Sequence, residues 1–259
     1  ISMMDLPEGY TNTFDEIFRL VEQKGVLALK PDEGSHGDGF YKFTYEDGKY
    51  QLNYQDVTKQ QVLDILEDIN NQYLVTEYIN MCDELKAVYD GAVNTVRMIV
   101  FKKDGKNPQI GNAYVRFGSK KTGAVDNVGA GGMTATIDVA TGHFHDAKIV
   151  MNNSIEDCPI HPDTGVPIDG YLPHWEQVKQ QVLDVTKSIK QLEFFGVDLA
   201  VTNDGIKFPE INRFPDYPAV EKYTKPTREY LLYKLAGKKH HYGYDVTPNR
   251  TLVHLPKRD

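Results

Sequence analysis

The sequence predicts an α+β protein with two lobes, because runs typical of antiparallel strand pairs alternate with single amphipathic helices. The clearest strand pair is 197–202 with 206–212, which the hairpin turn Asn203-Asp204-Gly205 separates. The clearest helix is 175–192, where apolar residues recur every three or four positions. A chain of 259 residues is long enough for two lobes that each bury a core.

Four segments are predicted from this pattern. Residues 1–12 are interpreted as a lead-in outside the fold, and their first four residues resemble a cloning remnant. Residues 13–79 form the first lobe, which contains a glycine-rich flap, and residues 80–236 form the second lobe. Residues 237–259 are a polar tail.

The first lobe is predicted to begin with a helix that Thr13 caps, that Glu16 supports through a capping box and that Gly25 ends. A second helix is predicted to begin at the cap Thr58. The predicted strands of this lobe are 26–30, 40–45, 50–54 and 73–79, with the glycine-rich loop at 32–40.

The second lobe is predicted to contain most of the strands and the longest helix. Its loops are 120–132, which is polar and rich in glycine, and 161–173, which is irregular. Its predicted strands are 94–101, 110–117, 133–139, 144–150, 197–202 and 206–212. Its predicted helices are 175–192 and 226–235. The first of these helices has an apolar stripe made of Val178, Val182, Val185 and Ile189.

Composition limits the classes of function. The formal net charge of −8 gives no electrostatic support for a nucleic-acid partner. No apolar run reaches membrane-spanning length, and no secretion signal is present. Cys82 and Cys158 lack metal spacing and cannot form a disulfide framework. We therefore expect a cytoplasmic protein.

The last hairpin carries three oxygen-bearing side chains on one face. Glu210 and Asn212 are two residues apart on a strand, so they point the same way, and Asp198 on the partner strand can reach them. Such a site suits Mg²⁺, with Mn²⁺ as the alternative. Water and nucleotide phosphates would complete the coordination shell of the ion. The competing interpretation is a solvent-facing strand with ordinary polar residues.

Lys30 ends a buried strand just before the glycine-rich loop. A lysine at that place can reach nucleotide phosphates, and backbone N–H groups of the loop can cover a triphosphate. The loop is neither a Walker A motif nor a Rossmann turn, and a plain hairpin connection is the competing interpretation. Its candidate contacts are Gly34, Ser35, His36, Gly37 and Gly39.

Four further residues are candidates for chemistry. Arg97 lies among β-branched residues and needs an anion, which is either a phosphate or a structural carboxylate. Arg116 and Arg213 raise the same question. His161 lies in an irregular loop, where a merely solvated ring is the competing interpretation.

Taken in order along the chain, these residues resemble the ATP-grasp superfamily from about Val26 to Pro218. The closer resemblance is to the sugar-transfer-associated group, through Gly131-Gly132 and the segments 161–165 and 195–198. It implies two α+β lobes whose antiparallel sheets grip ATP. The ordered pattern is Lys30-Pro31, Gly34 to Gly39, Glu77-Tyr78-Ile79, Arg97, Asp198 and Glu210-Ile211-Asn212.

The resemblance also implies roles for individual residues. Lys30 and the glycine-rich flap would hold the phosphates of ATP, and Arg97 would stabilise the transferring phosphoryl group. The strand 77–79, that is Glu77, Tyr78 and Ile79, would meet the adenine, with Asp83 or Glu84 on the ribose. Asp198, Glu210 and Asn212 would hold Mg²⁺, and Gly131, Gly132, His161 and Arg213 would line the acceptor side.

The implied activity is an ADP-forming carboxylate–amine ligase that acts through an acyl phosphate, in capsule or exopolysaccharide modification. Its substrates would be a sugar acid or amino acid and an amine, with polysaccharide-pathway enzymes as partners. The α/β domain that usually precedes this fold is expected to be absent or truncated here, so a separate N-terminal domain is another expected partner. The rival functions are an ATP-dependent phosphotransferase and a nucleotide-binding module without turnover.

Overall fold

A computed structural model of the chain describes residues 11, 13–32, 37–67, 72–103, 105–151, 154–213, 215 and 227–231. It contains two antiparallel sheets with separate cores, which confirms the predicted α+β class. The first sheet has five strands and the second has eight. The lobe boundaries at 12, 79 and 236 stay a prediction.

The first sheet has the strand order β4-β3-β2-β1-β5. Leu27 and Leu29 of β1 are buried in its core, and the alternating Ala28 and Lys30 point to the other face. The elements of this lobe are α1 (Phe14–Lys24), β1 (Val26–Pro31), β2 (Tyr41–Glu46), β3 (Lys49–Leu52), β4 (Gln55–Val57), α2 (Lys59–Leu66) and β5 (Tyr73–Glu77).

Local signals determine the helix ends of this lobe. The side chain of Thr13 accepts a hydrogen bond from the backbone N–H of Glu16, as predicted, and Gly25 ends α1 with a φ of 80°. The carboxylate of Glu16 binds Arg19 instead of returning to the cap, so no capping box is seen there. Thr58 and Gln61 form the complete capping box, at the start of α2.

The second sheet has the strand order β10-β9-β8-β7-β6-β12-β13, and β11 pairs with β9. Both cysteines, one in each of two loops beside this sheet, are free thiols. The elements are α3 (Asp83–Val88), β6 (Val96–Lys102), β7 (Pro108–Phe117), a short 3-10 helix (Val128–Ala130), β8 (Met133–Ile137), β9 (His143–Met151), β10 (Ser154–Asp157), β11 (Gly170–Tyr171), α4 (Trp175–Ser188), β12 (Phe194–Thr202) and β13 (Gly205–Asn212).

Five elements were not predicted, namely β4, α3, the short 3-10 helix, β10 and β11. They are short, and β10 is exposed along its whole length, so neither strand nor helix periodicity marks it. The predicted helix 226–235 is helical over 227–231, and its other residues, like the tail 237–259, lie outside the described residues. Among the described residues, no helix is long and apolar enough to cross a membrane.

The long helix α4 packs on the second sheet through part of its predicted stripe. Val178 and Val182 are buried, but Val185 is 40% exposed. The helix ends at Ser188, so the prediction that it continues to residue 192 is wrong. Ile189 takes an extended conformation, and its carbonyl accepts a hydrogen bond from the side chain of Lys102. A short connection over 189–193 then leads into β12.

The predicted hairpin of β12 and β13 is confirmed. Its register places Asp198 directly opposite Glu210, and a bulge lies between Asp198 and Ala200. Directly opposite residues of antiparallel strands share a face, so both carboxylates point to one side of the sheet. The hairpin is the edge of the second sheet, next to β6.

Candidate active site

A cleft of about 1270 Å³ lies between the two sheets and is lined by residues from both. Its walls have different chemistry. The first sheet contributes mainly apolar groups and a lysine, and the second contributes a cluster of arginines and carboxylates.

The wall from the first sheet is one face of the pair β1 and β5. Ala28 lies opposite Thr76, and Lys30 lies opposite Leu74, so the four side chains share the face that points into the cleft. Lys30 is exposed and forms no ion pair within the described part of the chain. Its ammonium group is therefore available to an anion in the cleft.

The wall from the second sheet is a row that crosses four strands. Tyr114 of β7 pairs with Arg97 of β6, Arg97 pairs with Asp198 of β12, and Asp198 pairs with Glu210 of β13. Strand alternation adds Arg116 beyond Tyr114 on the same face, and all five residues line the cleft. The register of the sheet thus gathers side chains that are more than a hundred residues apart in sequence.

Asp198 lies between two guanidinium groups. Its Oδ1 accepts from Nε of Arg97, and its Oδ2 accepts from Nη2 of Arg97 at 2.7 Å and from Nη2 of Arg116 at 3.1 Å. The Asp198 side chain is 5% exposed, and the two arginine side chains are 10% and 18% exposed. The anion that the sequence analysis required for Arg97 is therefore a structural carboxylate in this state.

The pKa values of both arginines are raised although burial acts against them. Burial lowers the pKa of Arg97, and the hydrogen bond and charge of Asp198 more than offset it. Burial likewise lowers the pKa of Arg116, and the charges of Asp126 and Asp198 more than offset that effect. Both guanidinium groups therefore stay charged.

Asp126 ties the loop 118–132 to this row. Its Oδ2 accepts from the backbone N–H of Thr95 at 2.8 Å and from the Thr95 hydroxyl at 2.5 Å. Nε of Arg116 lies 3.5 Å from the same oxygen. The loop and the charged row therefore form one hydrogen-bonded unit, and 124–129 of the loop line the cleft.

The three candidate metal ligands lie side by side, but they differ in availability. With its amide oriented to satisfy both neighbours, Asn212 donates to Oε1 of Glu210 at 2.7 Å and accepts from Nη2 of Arg97 at 2.9 Å. Glu210 is exposed and forms no ion pair with any described residue, whereas Asp198 is held by Arg97 and Arg116. The oxygen donors fit a hard divalent cation, with Glu210 the most accessible of them.

Gly196 is required by the close approach of Arg97. A Cβ atom at this position would lie 3.0 Å from Cδ of Arg97 and 2.8 Å from Cβ of Pro215. Because Gly196 has no side chain, the Arg97 side chain can lie against β12 and reach Asp198, two residues further along that strand.

The end of β5 and the two residues after it lie on the cleft, since Glu77, Tyr78 and Ile79 all line it, and their contact with adenine stays a prediction. The Glu77 carboxylate accepts from Nζ of Lys24 at 2.5 Å, and this hydrogen bond, with the charge of Lys24, lowers the pKa of Glu77. The Tyr78 hydroxyl is buried and has no hydrogen-bond partner among the described residues. Burial raises the pKa of Tyr78 above its ordinary value.

The glycine-rich flap is described only at its C-terminal end. Gly34, Ser35 and His36 lie outside the described residues. Gly37 lines the cleft, and both Gly37 and Gly39 line a smaller adjoining pocket of about 280 Å³. Both have positive φ angles, of 80° and 75°, which favour glycine.

His161 does not line the cleft, so its predicted catalytic contact is not seen. The ring is fully buried, lies stacked at 4.7 Å on Tyr89, and donates from Nε2 to the carbonyl of Gly118 at 2.9 Å. Its Nδ1 accepts the backbone N–H of Asp163 at 3.2 Å. Both ring nitrogens are thereby used to support the loop 118–132, and the Asp163 carboxylate adds a bond to the N–H of Lys120.

Three other predicted contacts also lie outside the cleft lining. Glu84 is in the first turn of α3, an element that the sequence analysis did not predict, beside the thiol of Cys82. Arg213 follows the end of β13 and is exposed. In the loop 118–132, residues 124–129 line the cleft instead of Gly131-Gly132.

Two residues of the site were not assigned from sequence. The sequence shows Arg116 only as an arginine that needs an anion, although its alternation with Tyr114 along β7 indicates a shared face. Asp126 lies in a glycine-rich loop, where nothing in the local pattern distinguishes it from a solvated carboxylate. Its contact with Thr95 spans 31 positions of sequence.

The fold and the cleft define a two-lobed protein with one cleft wall of arginines and carboxylates. The family described as sugar-transfer associated ATP-grasp matches residues 6–219, and the chain belongs to this family. The predicted resemblance is thereby confirmed. No curated protein matches the chain.

Solved structures with a similar fold include two of D-alanine–D-alanine ligase from Bacillus anthracis. The first has 12% identity and a TM-score of 0.38, over 83% of this chain and 51% of that one. The second, complexed with ATP, has 10% identity and a TM-score of 0.40, over 90% and 54%. N5-carboxyaminoimidazole synthetase from Staphylococcus aureus complexed with ADP has 9% identity and a TM-score of 0.40, over 80% and 38%. This chain thus spans about half or less of those proteins.

We expect His161→Ala to lower the free energy of unfolding by about 1–3 kcal/mol, because it leaves the buried carbonyl of Gly118 without its donor. Denaturant unfolding would measure the change. His145→Ala, in β9 and with a side chain 30% exposed, is the control and should stay within about 0.5 kcal/mol of the wild type. Equal stability of the two variants would contradict the supporting role of His161.

We expect Lys24→Met to return the pKa of Glu77 toward its ordinary value of 4.5. The folded pKa is lowered, so the pair stabilises the fold above that value and the contribution is lost as pH falls through the lowered pKa. The effect on stability is small, because the Glu77 side chain is 74% exposed. A carboxyl NMR titration would measure it, with Lys49→Met as a control that leaves Glu77 unchanged. An unchanged Glu77 pKa in Lys24→Met would contradict the pairing.

Proposed function

We propose that this protein is an ATP- and divalent-metal-dependent ligase that joins a carboxylate to an amine through an acyl phosphate. The observation that supports the proposal is the row of Arg97, Asp198 and Glu210, which lies across the cleft from Lys30. A site of this kind pairs cations with oxygen donors in a sheltered cleft, as the transfer of a highly charged phosphoryl group requires.

The two walls suit the two ends of ATP. The adenine would lie against the apolar part of the cleft near Leu74 and Ile79, where the strand end also offers backbone groups to the edge of the base. Lys30 would hold the α- and β-phosphates, and the glycine-rich flap would close over the triphosphate. The γ-phosphate would then reach the row of Arg97.

In the first step, a carboxylate oxygen of the substrate would form a bond to the γ-phosphorus. The bond from that phosphorus to the β,γ-bridging oxygen breaks, and ADP keeps the electron pair. Arg97 and Arg116 would donate hydrogen bonds to the phosphoryl oxygens, where negative charge is concentrated. These residues orient and neutralise the reacting groups, and no side chain becomes covalently attached.

In the second step, the nitrogen lone pair of the amine would attack the acyl carbon. The bond from that carbon to the phosphate oxygen breaks, phosphate leaves with the electron pair, and the nitrogen loses a proton. The cleft would exclude water, which otherwise hydrolyses the acyl phosphate. Arg213, exposed at the end of β13, is proposed to contact the acceptor.

A bound Mg²⁺ or Mn²⁺ would neutralise phosphate oxygens during the transfer. Glu210, Asn212 and the Asp198 carboxylate would hold the cation, and all three are oxygen donors of the kind that these ions prefer. The family's association with sugar transfer supports a sugar acid or an amino acid as the carboxylate, in surface-polysaccharide modification in the cytoplasm.

We expect the wild-type protein to bind ATP in the micromolar range in the presence of Mg²⁺, as measured by calorimetry. Glu210→Ala and Lys30→Ala should each weaken binding at least about tenfold, or about 1.4 kcal/mol, because each removes a group that faces the phosphates or the metal. Glu156→Ala in β10 and Lys49→Ala in β3 are matched controls, because both residues are exposed and neither lines the cleft. Unchanged affinity in both cleft variants would contradict the proposed site.

We expect hydroxylamine to trap the acyl phosphate as a hydroxamate when uronic acids and amino acids are screened with ATP. Hydroxylamine replaces the amine in the second step and releases phosphate, so hydroxamate and ADP should appear together. An ATP-dependent phosphotransferase would release ADP without hydroxamate. ADP formation should disappear in Asp198→Ala, and ADP formation that persists there would contradict the role of this carboxylate.

A further inference from the structure

Asp198 has two incompatible sets of partners. In the structure, both of its oxygens are engaged by Arg97 and Arg116. The proposed function, on which this inference rests, also requires Asp198 to hold a divalent cation and the two arginines to hold phosphate oxygens. A guanidinium group and a dication cannot both lie against the same carboxylate oxygens without strong repulsion.

The formal charges of the row and of Asp126 show how each ligand would change the balance of charge in the cleft. Asp198, Asp126 and Glu210 face Arg97 and Arg116, so the five side chains carry a formal charge of −1. A dication added alone would bring the total of these five side chains and the ion to +1, beside two mostly buried arginines. A triphosphate added alone would compete with Asp198, Asp126 and Glu210 for the arginines. With both ligands bound, the two arginines would face phosphate oxygens, and Asp198 and Glu210 would face the cation, so the like charges would no longer be in direct contact.

Arg116 is the residue on which this balance depends. Its Nη2 donates both to the Thr95 hydroxyl, at 2.5 Å, and to Oδ2 of Asp198, at 3.1 Å. Its Nε is shared between Thr95 at 3.1 Å and the Asp126 carboxylate at 3.5 Å. Arg116 can therefore leave Asp198 and remain anchored by Thr95 and Asp126, whereas Arg97 has Asp198 as its one carboxylate partner among the described residues.

We infer that Asp198 is a shared carboxylate that couples the two ligands of the cleft. Arg116 and Arg97 release it only when a nucleotide offers their N–H groups phosphate oxygens in exchange, and the released carboxylate then completes the cation site with Glu210 and Asn212. Without nucleotide, the two arginines keep divalent cations out. Binding of cation and nucleotide is therefore positively coupled, and by linkage each must tighten the other by the same factor.

Arg116→Gln tests the coupling, because it removes one guanidinium group from Asp198 and keeps a side chain that can still bond to Thr95. Binding of Mn²⁺ alone would be measured by the electron paramagnetic resonance of the free ion. Binding of β,γ-imido-ATP would be measured by calorimetry, once with EDTA and once with saturating Mn²⁺. Mn²⁺ contacts the nucleotide directly in the wild type and in Arg116→Gln alike. A difference between the two proteins in how strongly Mn²⁺ tightens nucleotide binding is therefore due to Arg116.

We expect Mn²⁺ alone to bind the Arg116→Gln protein about 5- to 20-fold more tightly than the wild type, a change within the usual range of coupling factors. With EDTA present, the Arg116→Gln protein should bind the nucleotide more weakly than the wild type does. Saturating Mn²⁺ should also increase the nucleotide affinity of this variant by a smaller factor than in the wild type. Arg19→Gln is the matched control, since it makes the same substitution on the exposed surface of α1. It should leave all three affinities unchanged.

Arg116→Lys provides the second variant if Arg116→Gln fails to fold. A lysine keeps the positive charge but lacks the planar fork that reaches Thr95 and Asp198 together. It should shift Mn²⁺ binding in the same direction by a smaller factor. Circular dichroism and the unfolding midpoint of each variant would establish that it is folded before its affinities are compared.

The outcomes separate this inference from the proposed function. If the wild type binds the nucleotide but Mn²⁺ alone binds no more tightly in either Arg116 variant, the coupling is refuted and the nucleotide site stands. If folded wild-type protein binds no nucleotide with or without Mn²⁺, both are refuted. Tighter binding of Mn²⁺ in the variants, with a reduced effect of Mn²⁺ on the nucleotide, supports the coupling.

Discussion

The site depends on one buried cluster of charges, Asp198 between Arg97 and Arg116. None of these side chains is more than 18% exposed, so removing one partner would leave a buried charge without compensation, at a cost of about 3–5 kcal/mol. Strand pairing creates the cluster, since β7, β6 and β12 are adjacent and their register puts the three side chains on one face. The same register continues to Glu210 on β13 and turns the sheet into a charged wall.

The loop 118–132 beside this wall is held by side-chain hydrogen bonds and an ion pair rather than by strand pairing. Asp126 fastens the loop 118–132 to Thr95 and Arg116, and His161 fastens the start of that loop through Gly118. The opposite wall needs no such network, because it is a regular strand face with Lys30 as its cation. The cleft therefore combines a simple, partly apolar wall with a densely connected ionic one. This asymmetry matches a ligand with an aromatic base at one end and phosphates at the other.

Local sequence signals predicted the parts of the fold that local interactions determine. Thr13 and Gly25 bound α1 as expected, and Asn203-Asp204-Gly205 joins the predicted hairpin, because caps and tight turns depend on a few neighbouring residues. Val185 is exposed and α4 ends at Ser188, because packing and the contact of Lys102 with Ile189 override the helical pattern there. The prediction places His161 at the acceptor side, whereas its ring is buried and supports the loop 118–132 through Gly118. A loop sequence does not reveal whether a ring faces the cleft or the protein interior.

The sequence by itself determined the α+β class, the order of the motifs along the chain and the common face of Glu210 and Asn212, because each follows from neighbouring residues or from strand alternation. Only the tertiary structure decided which charges meet. Arg97 and Asp198 are 101 positions apart, and Arg116 and Asp198 are 82 positions apart. Their contact follows from the order and register of strands in the sheet, which are long-range pairings that no local pattern specifies. For the same reason, only the folded chain shows Asp198 to be shared between arginines and a predicted cation site.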